Sequence, residues 1–170
     1  MEKSNIDEKI KLLTGSGMWH TQEVEGLPSV HLSDGPHGLR KQEEKERQNN
    51  VSLVSTCYPT ASALACSWDV TAAERLGRAV AKEAWNADVA VLLGPGINMK
   101  RSPLCGRNFE YFSEDPFLAG RLGAAYVSAA QGEDVAVSLK HFAANNQETN
   151  RQTANSQIDE RALRLSLIHI

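Results

Sequence analysis

Cysteine is scarce in this chain. Cys57, Cys66 and Cys105 are odd in number and far apart, which excludes a disulfide-stapled framework and reads as reduced, mostly packed thiols of an intracellular protein. No CxxC, HxxxH or HExxH spacing occurs, so neither a structural nor a catalytic zinc site is expected, and no cofactor is expected either. Long apolar runs are also missing. Val89-Ala90-Val91-Leu92-Leu93 is the longest, against the roughly 20 residues a membrane-spanning helix needs. The first nine residues, Met1 to Lys9, mix both signs of charge around no apolar core, so no signal peptide and a cytoplasmic location are expected. Excess charge is absent too. Eighteen Lys and Arg face twenty-one Asp and Glu, a net charge of −3, which excludes the basic surface that a nucleic-acid partner favours. Phosphate loops are lacking: Gly94-Pro95-Gly96-Ile97-Asn98-Met99 has no third glycine, and Lys100 is not preceded by glycine, so neither a dinucleotide fingerprint nor a Walker motif is met.

What is present is an ordinary globular composition, 41% apolar and 23% charged over 170 residues, enough for one domain with a core. Ile6, Ile10 and Leu13 recur at helical spacing, with Asp7 and Glu8 early and Gly15 as a stop. Thr14 to Gly26 reads as loop. Pro28 to Leu32 reads as a strand leading into Ser33-Asp34-Gly35-Pro36-His37-Gly38-Leu39-Arg40, a turn shaped by glycines and a proline. Lys41 to Asn50 is a solvated charged loop. Ala61 to Ser67 reads as a small-residue strand. Thr71 and Glu74 form a capping-box pattern ahead of a helix with the face Ala73, Leu76, Val80 and Ala84. Ala87 to Leu93 is a strand covered on both sides. Ser102 to Glu114 is a long loop. Asp115 caps a helix with Pro116 at its first position, and Leu118, Leu122, Ala125 and Ala129 form its stripe. Val135 to Leu139 is a fourth strand, and a last helix begins at Ile158. Alternating strands and helices imply a parallel sheet with right-handed crossovers.

The charged residues cluster at strand ends: Asp34 and Arg40, Arg101 and Arg107, Lys140 and His141, with Glu110, Glu148 and Arg151 further along the loops. Strand ends on one side of a parallel sheet converge, so these groups are expected in one cleft. Carboxylates accept from hydroxyls while Arg and Lys donate to them, a mixture suited to a polyhydroxylated ligand. Trp19, Trp68, Trp85 and Phe109 are candidates to stack on a sugar face, although Trp85, on a helix, reads as core. Two simpler readings stand beside this one. Asp34 satisfies the backbone of a surface turn, or it forms an internal ion pair with Arg40 or Lys140.

Three motifs then resemble one family. Ser33 to Arg40, Gly106-Arg107-Asn108-Phe109-Glu110-Tyr111-Phe112-Ser113-Glu114-Asp115-Pro116, and Lys140-His141-Phe142-Ala143-Ala144-Asn145-Asn146 occur in the order seen in glycoside hydrolase family 3. The likeness runs from about Ile6 to Leu163. It implies an α/β fold, the N-terminal half of a (β/α)₈ TIM-type barrel with about four of its eight strands. It also implies a retaining β-glucosidase acting on terminal non-reducing β-D-glucosyl residues. By the same likeness Asp34, Arg40, Arg107, Lys140 and His141 hold the sugar, and Glu110 and Glu148 support the arginines. The small-molecule or oligosaccharide β-glucoside is then the partner, with no nucleic acid and no membrane.

One departure limits this. The family's nucleophile is an aspartate on a later barrel strand in a Ser-Asp-Trp-type context, which does not occur after Asn155. Its general acid/base comes later still. Neither catalytic carboxylate is therefore placed in this chain, and Asp34 is expected to be a sugar ligand. Residues 1–164 are expected to be a partial barrel domain. Residues 165–170, Leu-Ser-Leu-Ile-His-Ile, resemble a translated sequencing-adapter end and are expected to be non-native. The alternatives are a non-catalytic sugar-binding module and an unrelated metabolic barrel, the latter disfavoured by the missing phosphate loop.

Overall fold

The computed structural model describes residues 6–35, 37–42 and 51–164. Most of the charged 41–50 loop and the whole 165–170 tail lie outside them. Helix α1 (Ile6–Lys11) forms where the spacing predicts it, with Asp7 and Glu8 in its first turn and Lys9 and Lys11 in its last, charges that suit the helix dipole. Its apolar stripe is uncovered: Ile6, Ile10 and Leu13 are all exposed.

Strand β1 is Leu32–Ser33, later than the predicted Pro28 to Leu32. The backbone of Val30 is already engaged, with its N–H on Thr21 Oγ1 at 3.0 Å and its carbonyl on the Thr21 N–H at 3.1 Å. Pro28 has no N–H to give. Sheet pairing therefore starts only at His31, whose carbonyl accepts from Ala90 N at 2.9 Å.

Residues 61–66 are a helix, not the expected strand. In α2 (Ala61–Cys66) the Thr60 hydroxyl accepts from Ala63 N, and Ala61, Leu64 and Ala65 are buried. The segment has no β-branched residue, alanine and leucine favour helix, and Thr60 is a good N-cap. Small residues suit close strand packing as well, but burial at i, i+3 and i+4 is that of a helical face. Helix α3 (Val70–Asn86) is capped two residues earlier than expected, by Asp69, whose Oδ1 accepts from Thr71 N at 2.8 Å. Ala73, Val80 and Ala84 are buried as predicted. Trp85, expected in the core, is 60% exposed, because it lies beside that stripe and not on it. Helix α4 (Pro116–Gln131) starts where predicted, with Asp115 Oδ1 accepting from Phe117 N at 2.9 Å.

Strands β2 (Val91–Leu92) and β3 (Ala136–Val137) complete a parallel sheet in the order β1-β2-β3, with Leu32 opposite Val91 and Val91 opposite Ala136. Three described strands replace the four expected, since 61–66 is helical. The short helix α5 (Glu160–Ala162) is capped by Asp159. Helices α3 and α4 cover one face of the sheet. Leu92, Val89, Val135, Val80, Ala84 and Tyr126 form one core cluster, and Leu64, Ala73, Ile97, Phe112 and Leu122 another. Of the cysteines only Cys105 is buried; Cys57 and Cys66 are exposed, which corrects the expectation of mostly packed thiols. No helix among the described residues is long and apolar enough to cross a membrane.

Candidate functional site

Parallel strands send the chain out of the sheet on one side, so the segments leaving β1, β2 and β3 meet there. Asp34 is the first residue after β1. Its carbonyl accepts from Arg40 N at 2.8 Å, which closes the turn. Gly35 makes that closure possible: its φ is +153°, and a Cβ there would lie 1.8 Å from the Gly38 oxygen. After β2 the chain bridges from Gly96 to both Tyr111 and Lys140, and Ile97 N donates to the Lys140 carbonyl at 2.8 Å. These bonds carry the sheet one step further and bring the long loop and the residues after β3 together. Within the loop a short 3₁₀ turn, Asn108–Glu110, points Glu110 inward, where it is 3% exposed.

The charges form one alternating chain. Lys140 Nζ donates to Asp34 Oδ1 at 2.7 Å and pairs with Glu110 Oε2 at 3.2 Å. Glu110 Oε1 accepts from Arg107 Nε. Arg107 Nη1 lies 3.8 Å from Glu148 Oε1, and Glu148 Oε2 lies 3.3 Å from Arg151. A buried carboxylate such as Glu110 requires partners, and it has two cations. Burial pushes the Asp34 carboxyl up, but the hydrogen bond and charge of Lys140, the Gly35 N–H and the Arg40 charge outweigh it and hold it below its ordinary value. Burial opposes the Arg107 charge, and the Glu110 hydrogen bond and charge more than offset that, raising its affinity for the proton.

His141 joins through a second set of contacts. Its Nδ1 lies 2.7 Å from the Tyr111 hydroxyl, and the two rings meet edge to face at 5.8 Å. Tyr111 is wholly buried, and burial pushes its hydroxyl up to about 12. Burial, reinforced by the charges of Arg107 and Lys140, pushes His141 down to about 4. Asn145 Nδ2 donates to Tyr111 Oη at 2.9 Å and to Glu148 Oε1 at 2.8 Å.

The structure thus brings Asp34, Arg107, Lys140 and His141 into one network of contacts and facing charges at the strand ends. Arg40 is exposed at its edge, acting on Asp34 through charge. Arg101, expected nearby, is exposed. Glu110 and Glu148 contact Arg107 as expected, and Glu110 also contacts Lys140. Of the aromatic candidates, Phe109 faces the Asp34 turn, its ring 5.2 Å from that of His37. Trp19 is tied to Gln42 by its indole N–H at 3.0 Å, and Trp68 and Trp85 are exposed. Sequence reasoning missed Tyr111 and Asn145 as members of the site. Their only signal was membership of the second and third motifs. Among the described residues no cluster of three His, Cys, Asp or Glu could hold a metal.

Comparison with known proteins agrees with these motifs. Residues 35–168 match the model of the glycosyl hydrolase family 3 N-terminal domain. The chain is 51% identical over 168 residues to thermostable beta-glucosidase B of Acetivibrio thermocellus, covering 96% of this chain and 22% of that protein. It is 48% identical over 164 residues to an exo-alpha-(1->6)-L-arabinopyranosidase of Bifidobacterium longum, covering 94% and 22%. Among solved structures, beta-glucosidase from Kluyveromyces marxianus in complex with glucose superposes with a TM-score of 0.89 at 42% identity, covering 98% of this chain and 20% of that one. Beta-glucosidase 3B from Thermotoga neapolitana in complex with glucose gives 0.88 at 37% identity, covering 97% and 25%. The chain therefore spans about a fifth of the length of the curated relatives it matches. By its motifs, its network of charges at the strand ends and this family match, the chain belongs to glycosyl hydrolase family 3, within the N-terminal domain.

Proposed function

We propose that this chain supplies the sugar-holding wall of a retaining β-glucosidase that removes terminal non-reducing β-D-glucosyl residues. The observation that carries the reading is the meeting of Asp34, Arg107, Lys140 and His141 at the carboxyl ends of three parallel strands. The glucose complexes of structural relatives support it. The ionised Asp34 accepts from two neighbouring hydroxyls. Lys140 uses two of its three N–H groups on Asp34 and Glu110 and offers the third to a sugar oxygen. Arg107, anchored through Nε, presents its outer N–H groups, and Arg40 lends charge at the rim. Hydrogen bonds that tighten as the ring moves toward an oxocarbenium ion lower the barrier.

Glu110 is not the nucleophile in this reading, since it is buried beneath two cations. The nucleophile and the acid/base come from outside this chain, and no cofactor takes part. The likeness to an arabinopyranosidase favours one second reading, an α-L-arabinopyranoside as substrate. A substrate panel separates the two.

The test is kinetic, in the full-length gene product. Asp34→Asn should lower kcat/KM on an aryl β-glucoside by roughly 10²-fold or more, the worth of two charge-assisted hydrogen bonds, while the melting point stays near that of the parent. A large fall in melting point with little loss of kcat/KM would make the Asp34–Lys140 pair a structural one. Because the Asp34 carboxyl is held below its ordinary value, sugar affinity should be complete at and above that ordinary value. It should decline only as the pH falls through the lowered one.

A further inference from the structure

The contacts around His141 dictate which of its nitrogens carries the proton. Glu148 is the fixed point. Paired with Arg107 and Arg151, its carboxylate only accepts. Asn145 must therefore turn its amide nitrogen, not its oxygen, toward Glu148 Oε1 at 2.8 Å. The second hydrogen of that nitrogen falls on the Tyr111 hydroxyl at 2.9 Å. The hydroxyl accepts there and still has its own proton to place. Its other partner among the described residues is His141 Nδ1, at 2.7 Å. Nδ1 then accepts, and the ring proton sits on Nε2. The frame behind this chain is firm: Asn145 N donates to Asn98 Oδ1 at 2.9 Å, and Asn98 is itself 3% exposed.

We propose that Tyr111 and Asn145 are positioning residues that hold His141 as a neutral imidazole with Nε2–H as its donor, so that His141 gives a hydrogen bond to a sugar oxygen and accepts none. The sugar in this statement rests on the function proposed above; the tautomer does not. The groups around the ring agree with a neutral state. Arg107 and Lys140 oppose its protonation, Glu110 and Glu148 favour it less, and burial outweighs each of them. Tyr111 stays protonated as the donor.

The test uses the full-length gene product with ¹⁵N-labelled histidine. Long-range ¹H–¹⁵N correlations are read across about pH 5 to 8, the His141 signals are assigned by their loss in His141→Gln, and glucose is titrated in parallel. The expected result is one His141 tautomer with an unprotonated Nδ1 and a protonated Nε2 throughout, and a glucose Kd that is flat over the range. Tyr111→Phe should shift the Nδ1 resonance and raise the Kd about tenfold, the worth of one hydrogen bond. A protonated Nδ1 in the parent protein near pH 6 would overturn the proposal, whether or not Tyr111→Phe folds. So would a folded Tyr111→Phe protein with an unchanged Nδ1 and an unchanged Kd. The expected tautomer without any glucose binding would uphold the role of Tyr111 and Asn145 and remove the β-glucosidase reading instead.

Discussion

Glu110 gives up nearly all its contact with water and gains two cations in exchange. That makes it the joint on which Lys140 and Arg107 are set, and its removal should reach both. Glu110→Gln keeps the shape but leaves two cations facing a neutral amide. Breaking a buried pair in this way costs about 3 kcal/mol. Chemical denaturation of the full-length gene product should show a loss of that order, and KM should rise because Lys140 loses its second anchor. Unchanged stability would mean that water or ions screen the site far more than its burial implies. That Asp34, Lys140 and His141 meet was legible in the sequence because each lies just past a strand, and parallel strand ends converge. The hydroxyl of Tyr111 was not, because a buried tyrosine differs from a core aromatic only in what its oxygen meets. That partner, His141, lies thirty residues on and reaches it only through the Gly96 bridges.

At the level of elements, the start of helix α4 was readable to the residue, since Asp115 and Pro116 mark it without ambiguity. Helix α2 was not. Ala61-Ser62-Ala63-Leu64-Ala65-Cys66 is less than two helical turns, too short for periodicity to outweigh the impression of a small-residue strand. Helices α3 and α4 make the most extensive contact between the described elements, and Gly77 allows their close approach: a Cβ there would fall 2.4 Å from the Tyr126 carbonyl oxygen. Alanine gains about 1 kcal/mol of helix propensity over glycine, but here it meets rigid backbone, and overpacking of that kind costs about 1–3 kcal/mol. Gly77→Ala should therefore destabilise the protein on balance. Gly106→Ala, where a Cβ meets nothing within 4 Å, should stay within about 0.5 kcal/mol of the parent. Equal unfolding midpoints for the two variants would rule out a tight approach of α3 and α4.

At the scale of the whole molecule, the outer edge of β1 is met by the 19–20 segment, with Leu32 N–H on the Trp19 carbonyl at 2.7 Å, while β3, at the other side of the sheet, has β2 as its one partner strand among the described residues. Leu104, Phe142 and Phe117 are largely exposed. Unpaired strand edges and exposed apolar side chains favour association. The chain also covers only about a fifth of its relatives. The 170-residue chain expressed alone should self-associate on size-exclusion chromatography and show no turnover of an aryl β-glucoside. A monomer that turns over would mean that a complete catalytic pair lies within these residues. Under the proposed function, side chains from three strand ends surround one pyranose ring, a claim that a crystal structure of the full-length gene product with glucose decides. The ring should lie within hydrogen-bond distance of Asp34, Arg107, Lys140 and His141, with His141 Nε2 as the contacting nitrogen; glucose bound elsewhere, with the Asp34–Lys140 pair closed and unvisited, would contradict the claim.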